Sequence, residues 1–386
     1  MAQRPANQLA ALHAHLRGHA PAWLRLLRTL VERESPSHDK AAVDRLARYL
    51  AREWRRRGAR VQLLRQSERG DLLRAELSFR QARGQLLVLG HLDTVYDRGT
   101  LPRMPFRLRR GRAYGPGAFD MKSGIVIGLA AVDALHALHL APARKLVFLY
   151  TSDEEIGSAA SRPIIEREAR RSDAVLVLEP AAGAEGALKT ARKGVAEYEL
   201  IVHGRAAHAG LDPEKGVSAT LELAHQIPRI VRLADSRRGL TVNVGVIAGG
   251  TRTNVVAAEA RARFDVRAVR RADQQRVERR LQALRPVLRG ARLELRRVSA
   301  RPPLERTAQV VALFREAQRL ARQLGVRLGE TSVGGGSDGN LTAALGIPTL
   351  DGLGGVGAHA HSPNEYVQVS SLAERAALLA GLLLRL

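Results

Sequence analysis

The chain contains no cysteine. Disulfides, thiol nucleophiles and cysteine-held zinc are therefore excluded, and any metal must be held by histidine and carboxylate. The absence fits a reducing or an oxidising compartment equally. Aromatic residues are also scarce, at 4%, which argues for helices and parallel strands rather than an all-β barrel. No apolar stretch reaches the roughly 18 residues that a membrane span requires. Internal repeats are absent. Lysine is rare: only six of the 62 Lys and Arg residues are lysine.

What is present is length, apolar residues and arginine. The 386 residues, 45% hydrophobic, are enough for two domains with real cores. The formal net charge is +24. A charge of that size raises nucleic-acid binding as one class of function. Against it, the arginines are scattered through helical stretches (Arg55–Arg57, Arg109–Arg110, Arg270–Arg271, Arg279–Arg280) instead of forming a tail or an aromatic-flanked patch. The field would still favour small anions. Met1–Arg4 leads into apolar residues at helical spacing (Leu9, Leu12, Leu16) interrupted by His13, His15 and Arg17, which reads as a packed helix and not as a signal peptide. The expected location is cytoplasmic.

The chain is organised around Leu86–Val95. An apolar run closes with Gly90, and His91 and Asp93 follow two apart. This is the pattern of a buried strand running into a loop. Residues i and i+2 point to the same side, so His91 and Asp93 belong together at the lip of a sheet, where open α/β folds place their sites. The pair suits a metal-binding histidine whose ring is fixed by a carboxylate. A lone His-x-Asp is also a common surface turn.

Two further strands end in acids. Residues 145–150 run into Asp153-Glu154-Glu155, and residues 173–178 into Glu179-Pro180. Three adjacent acids repel one another unless a cation neutralises them. Between these stretches, residues 97–117 form a long connection rich in Gly, Pro and Arg, of the kind that is functional or disordered. It leads through Asp120 into a helix of small and aliphatic residues. Taken alone, Asp120 could be a simple N-cap. Upstream, residues 7–33 read as one or two helices, Glu34–Ser37 breaks them before Pro36, and Ser37 or Asp39 caps the next helix. Residues 60–65 and 72–78 alternate as strands.

The character changes near residue 192. A strand over 194–204, a helix over 218–233, strands over 241–247 and 255–267, a basic helix over 272–288 and a strand over 291–297 make a ferredoxin-like βαββαβ pattern. Site-like glycines resume at Gly334–Gly336, and the chain closes through His359, His361 and Glu365. The expected fold is α/β: a mixed-sheet catalytic domain over 1–192 and 299–386, with an inserted ferredoxin-like α+β domain over 193–298.

Six segments, in order and across almost the whole chain, resemble the zinc-dependent aminoacylase/carboxypeptidase family, most of all its bacterial glutamate carboxypeptidases. They are Gly90–Val95, Ala113–Gly124, Thr151–Gly157, Leu178–Pro180, Gly334–Asp338 and His361–Tyr366. The resemblance implies two zinc ions, with cobalt or manganese suiting similar ligands. His91, Asp120 and Glu179 hold one ion, and Asp120, Glu155 and His361 the other, with Asp120 bridging. Asp93 orients His91, a cis peptide follows Asp120, and Glu154 is the general base. His361 is preferred to His359 because the Ser362–Tyr366 context follows it. His208 is implied as an oxyanion donor, although a histidine at such a strand edge can equally be plain surface. Asn254, Arg301, Gly335 and Gly336 would grip the substrate's α-carboxylate. The implied reaction is hydrolysis of an amide bond to a C-terminal amino acid, glutamate or a similar residue. Close alternatives are an N-acyl-amino-acid deacylase or a dipeptidase, and a different class is a non-catalytic nucleic-acid-binding protein on the same fold. The partners implied are a small peptide or N-acyl amino acid and a second copy of the chain through the inserted domain, with no nucleic acid and no membrane.

Overall fold

A computed structural model describes residues 5–80 and 82–386. Met1–Arg4, read as the lead into the first helix, lies outside the described residues. The chain divides into two compact units. The first runs to Thr190 and resumes at Arg306–Ser332 and Ser337–Leu386, and the second comprises Ala191–Glu305 with Val333–Gly336.

Alternation of apolar side chains builds the first unit. In the strand Gln85–His91, Leu86 and Val88 enter one apolar cluster while Leu87 and Leu89 enter another. Both faces of this strand are therefore covered, as expected of a strand with near-continuous apolar sequence. It lies inside a six-stranded mixed sheet. Lys145–Thr151 and Ala174–Val177 flank it in parallel, and the short strand Thr349–Leu350 adds a further parallel edge. Leu72–Leu77 and Arg60–Leu64 complete the other side antiparallel. Helices cover both faces. Lys40–Arg56 buries Val43, Leu46, Ala47, Leu50 and Trp54, a stripe at helical spacing, and Asp39 caps it by accepting from the Ala42 N–H. The helix Ser123–Ala137, buried almost throughout, joins the same cluster on the Leu86 and Val88 face, and Arg162–Ala169 and Asp338–Ala343 cover the Leu87 and Leu89 face. Gly124, at the start of Ser123–Ala137, is required because a Cβ there would lie 2.1 Å from the Leu178 carbonyl oxygen. Residues 7–33 resolve into two helices, Pro5–Gly18 and Ala20–Val31, with His19 between them.

The connection over 97–117 is more ordered than its composition suggested. It contains a hairpin, Arg107–Arg109 paired with Arg112–Tyr114. Arg110 and Gly111 turn the chain with φ of 50° and 74°. Two consecutive left-handed residues match the twist of a two-residue hairpin, but arginine in the first position hides the signal.

The second unit is an antiparallel sheet of four strands. The strand Gly194–His203 is central, flanked by Glu259–Ala268 and Arg292–Arg301, and Thr241–Gly249 pairs with the outer side of Glu259–Ala268. Helices Ala219–Val231 and Arg271–Gln282 complete the βαββαβ order. The strand expected over 255–267 starts only at Glu259, because Val255 and Val256 bond instead to the His208 and Ala207 segment. The helix expected over 272–288 stops at Gln282, just before Arg285-Pro286, where the residue preceding proline avoids helical geometry. The unit also extends beyond 193–298. Arg192 Nη1 donates to the Gly335 and Gly336 carbonyls at 3.3 and 3.0 Å, and Arg267 Nη1 donates to Gly334 at 3.0 Å, which ties the glycine segment to it.

Candidate metal centre

Three adjacent parallel strands end at one rim of the first unit. His91 closes the middle strand, Glu154 and Glu155 follow Thr151, and Glu179 follows Val177 by two residues. Asp120 reaches the same place from the turn ahead of helix Ser123–Ala137. It does not cap that helix: Lys122 holds the capping position, and the Asp120–Met121 peptide is cis. His361 arrives on a loop in which both His359 and His361 adopt left-handed backbone, with φ of 64° and 62°.

The side chains form two clusters that share one carboxylate. His91, Asp120 and Glu179 make the first, and Asp120, Glu155 and His361 the second. Asp120 Oδ1 lies 3.3 Å from His91 Nε2, and Oδ2 lies 3.4 Å from His361 Nε2. Glu179 Oε1 is 3.5 Å from His91 Nε2, and Glu155 Oε2 is 3.2 Å from His361 Nε2. His359 stands apart from both clusters, its ring 6.0 Å from that of Tyr366.

The His91 ring is oriented from behind. Its Nδ1 lies 2.9 Å from the Asp93 backbone carbonyl, which can only accept, so Nδ1 carries a proton and Nε2 is the nitrogen that faces Asp120 and Glu179. The Asp93 carboxylate is farther from Nδ1, at 3.5 Å. Its oxygens do something that the sequence did not suggest. Oδ1 accepts from the Glu154 N–H and Oδ2 from the Glu155 N–H, each at 3.2 Å, and Ser37 Oγ donates to Oδ2 at 2.7 Å. Asp93 is thus the clamp that fixes the Glu154–Glu155 turn. Asp153 also departs from the expectation of three acids facing one cation. Its carboxylate accepts from the Ala160 N–H at 2.8 Å and from the Ser161 hydroxyl. Asp338 braces the same turn by accepting from Thr151 and Ser158.

Glu365 has a role that the sequence reading missed. It is fully buried and accepts from the Phe119 N–H at 2.8 Å, the Asp120 N–H at 2.9 Å and the Gly117 N–H at 3.2 Å. The Tyr96 hydroxyl lies 2.5 Å from Glu365 Oε2 and 3.0 Å from the Ser362 carbonyl, which joins the Asp120 turn to the His361 loop. The available signal was an acid four residues past His361 with no partner in sequence.

The electrostatics are those of a site short of positive charge. Burial pushes the His91 imidazolium pKa down, but Asp120, Asp93 and Glu179 outweigh this and hold it well above 6.5. Asp120 and Glu155 pair with His361 and raise its pKa to about 10. Burial works against the Asp120 carboxylate, yet His361 and His91 hold it well below the usual range. Glu155 is pushed up, chiefly by burial, and its Oε1 is buried with no hydrogen-bond partner. Burial likewise lifts Glu365 to about 7. Two imidazoles, three carboxylates and one unsatisfied buried carboxylate oxygen form a donor set suited to zinc.

The remaining residues singled out from sequence lie in the second unit. His208 Nδ1 accepts from the Gly210 and Leu211 N–H groups at 3.1 and 3.2 Å, so its proton sits on Nε2. The Asn254 carbonyl accepts from the Ala209 N–H at 3.0 Å, which places Asn254 beside His208. Arg301 ends its strand opposite Val195. Gly335 needs no glycine on steric grounds, since a Cβ there would meet nothing.

The fold and this donor set define a metal-dependent hydrolase of the peptidase class. Residues 87–385 match Peptidase family M20/M25/M40, and the chain belongs to that family. It is 30% identical over 372 residues to Carboxypeptidase G2 of Pseudomonas sp. (strain RS-16), covering 95% of this chain and 89% of that one. Among solved structures it is similar to aminopeptidase PepT of Bacillus cereus, with a TM-score of 0.78 and 23% identity over 94% of this chain and 98% of the other. A metallo-carboxypeptidase of Sulfolobus solfataricus gives a TM-score of 0.71 at 18% identity, again over 94% and 98%. Both structures share the fold. No helix among the described residues is long and apolar enough to cross a membrane.

Proposed function

We propose that this chain is a two-metal carboxypeptidase-type amide hydrolase that releases a C-terminal amino acid, glutamate or a similar residue, from a small peptide or N-acyl amino acid. One observation carries the reading: the two oxygens of Asp120 face two histidines in two separate clusters. The likeness to Carboxypeptidase G2 supports the choice of leaving amino acid. His91, Asp120 and Glu179 would hold one zinc ion, and Asp120, Glu155 and His361 the second. Zinc bound there would polarise the scissile carbonyl and make water acidic near neutral pH.

The chain's own residues do the rest. Glu154 adjoins the ligand Glu155 on a turn whose two backbone N–H groups are pinned by Asp93. It takes the proton of the attacking water and delivers it to the leaving nitrogen. His208 offers Nε2–H as a donor to the developing oxyanion. Asn254, Arg301, Gly335 and Gly336 are assigned to the α-carboxylate of the substrate, for which arginine supplies a bidentate fork.

The experiment is elemental analysis for bound metal combined with hydrolysis of an N-acylglutamate, on the parent and on Glu154→Ala. About two zinc ions per chain in both proteins, with turnover only in the parent, is the expected result. Full activity in Glu154→Ala refutes the base assignment. Metal without activity on the glutamate substrate, but with activity on other acyl-amino acids or dipeptides, moves the assignment to a deacylase or dipeptidase.

We also propose a homodimer through the strand Thr241–Gly249. It is a sheet edge with one side unpaired, and it exposes Val246 (56%) and Ile247 (60%). Such an edge is a template for pairing with another chain.

A further inference from the structure

His361 is presented on strained backbone that little else supports. It lies in the segment 359–364, between the short strands Gly357–Ala358 and Tyr366–Gln368. The left-handed φ of His359 and His361 is a conformation that a Cβ disfavours. Such backbone persists only where the surroundings impose it. Packing imposes little here, because His359, His361, Pro363 and Asn364 are exposed. Two hydrogen bonds stay inside the turn. The Glu365 N–H donates to the Ser362 carbonyl at 3.0 Å, and the Asn364 N–H to the Ser362 hydroxyl at 3.4 Å. Among the described residues, one hydrogen bond reaches this stretch of backbone from elsewhere in the chain. It is donated by the Tyr96 hydroxyl to the Ser362 carbonyl, at 3.0 Å.

The hydroxyl has a single hydrogen and shares it with Glu365 Oε2, 2.5 Å away, as a three-centre bond. Its two acceptors depend on it unequally. Glu365 also accepts from the Gly117, Phe119 and Asp120 N–H groups, so the turn that carries Asp120 keeps three bonds when the hydroxyl is gone. The Ser362 carbonyl, on the residue after His361, keeps only the Glu365 N–H of its own turn. The cluster of His91, Asp120 and Glu179 contains no residue of segment 359–364, whereas the cluster of Asp120, Glu155 and His361 does. Loss of the hydroxyl therefore falls on the second cluster and largely spares the first.

We propose that Tyr96 is the positioning residue of the second cluster: its hydroxyl fixes the loop that presents His361, and so sets the affinity for the ion shared by Asp120, Glu155 and His361. The effect passes through Ser362 to His361. It is selective because His91 and Glu179 sit on strand ends inside the sheet, while His361 rests on a loop with one outside tether. Groups that orient metal ligands from behind contribute strongly to metal affinity. The inference rests on the two-metal reading of the site.

The test is zinc titration against a competing chelator, with elemental analysis of bound metal, on the full chain. The proteins are the parent, Tyr96→Phe, His361→Ala and the double variant. Tyr96→Phe keeps the ring and removes only the oxygen, and His361→Ala marks loss of the second ion. In Tyr96→Phe the second ion should bind about tenfold or more weakly, while the first changes by less than about threefold. In the His361→Ala background, Tyr96→Phe should alter binding of the remaining ion by less than about twofold, because no His361 is left to position. A general loosening of the fold would weaken both ions alike, and that result overturns the proposal. A second ion held as tightly in Tyr96→Phe as in the parent overturns it too. A parent that takes up a single ion is a different result: it overturns the two-metal reading, and this inference falls with it.

Discussion

Replacing Asp93 separates two ideas about what its carboxylate does. If it served mainly to orient His91, its loss would weaken the metal cluster built on His91. The geometry assigns that task to the Asp93 backbone carbonyl, 2.9 Å from His91 Nδ1, which any residue at position 93 retains. The carboxylate instead receives the Glu154 and Glu155 N–H groups and the Ser37 hydroxyl, all buried or nearly so. In Asp93→Asn, one oxygen remains an acceptor and the new NH₂ faces a backbone N–H. One hydrogen bond to a charged acceptor is lost and a donor is left without a partner, a cost of about 1–3 kcal/mol. Asp93→Ala strands both N–H groups and leaves the Ser37 hydroxyl only the Thr94 carbonyl at 3.4 Å, so roughly 2–6 kcal/mol is expected, with partial relaxation lowering the sum. Both tryptophans, Trp23 and Trp54, lie in the unit that holds Asp93. Urea unfolding of metal-free protein followed by tryptophan fluorescence therefore reports that unit. Zinc titrations against a competing chelator then show which ion is affected, with His361→Ala marking the loss of the second cluster. Asp93→Asn should mimic His361→Ala by weakening the ion held through Glu155 at least about tenfold, while the ion held through His91 changes less. The reasoning fails if Asp93→Ala costs under about 1 kcal/mol, or if the His91 ion is the one selectively lost.

Zinc binding should release protons. His361 has a folded-state pKa raised from 6.5 to about 10 by Asp120 and Glu155, so in metal-free protein its contribution to stability is full below 6.5 and is lost as pH rises through about 10. Zinc needs the unprotonated ring, and His91 is shifted in the same direction. Calorimetry at pH 7.5 in two buffers of different ionisation enthalpy should show more than one proton released per chain, and buffer-independent heats would contradict the ion-paired arrangement. At the sheet edge, Val246→Lys with Ile247→Lys should convert a dimer to a monomer in light scattering, because lysine on an edge strand blocks pairing. A dimer unchanged by both substitutions places the interface elsewhere.

The sequence alone determined which residue types converge. With cysteine absent, a metal had to take histidine and carboxylate, and the apolar runs before His91, Glu155 and Glu179 put three of those donors just past strand ends, because a strand's buried length and its exit are written locally. The βαββαβ order of the inserted segment was legible for the same reason. Tertiary structure decided what each acid does. Asp93, Asp153, Glu155 and Glu365 all carry the same carboxylate group, yet one clamps a turn, one is absorbed by a hydroxyl and an N–H, one keeps an oxygen without a partner, and one ties the Asp120 turn to the His361 loop. The same holds for Arg375 among so many arginines: only folding buries its guanidinium and leaves Nη1 unpartnered. A carboxylate's role depends on which N–H groups and charges surround it, and those come from segments tens to hundreds of residues away. Local pattern specifies elements and their ends, whereas desolvation and hydrogen-bond partners exist only once distant segments have met.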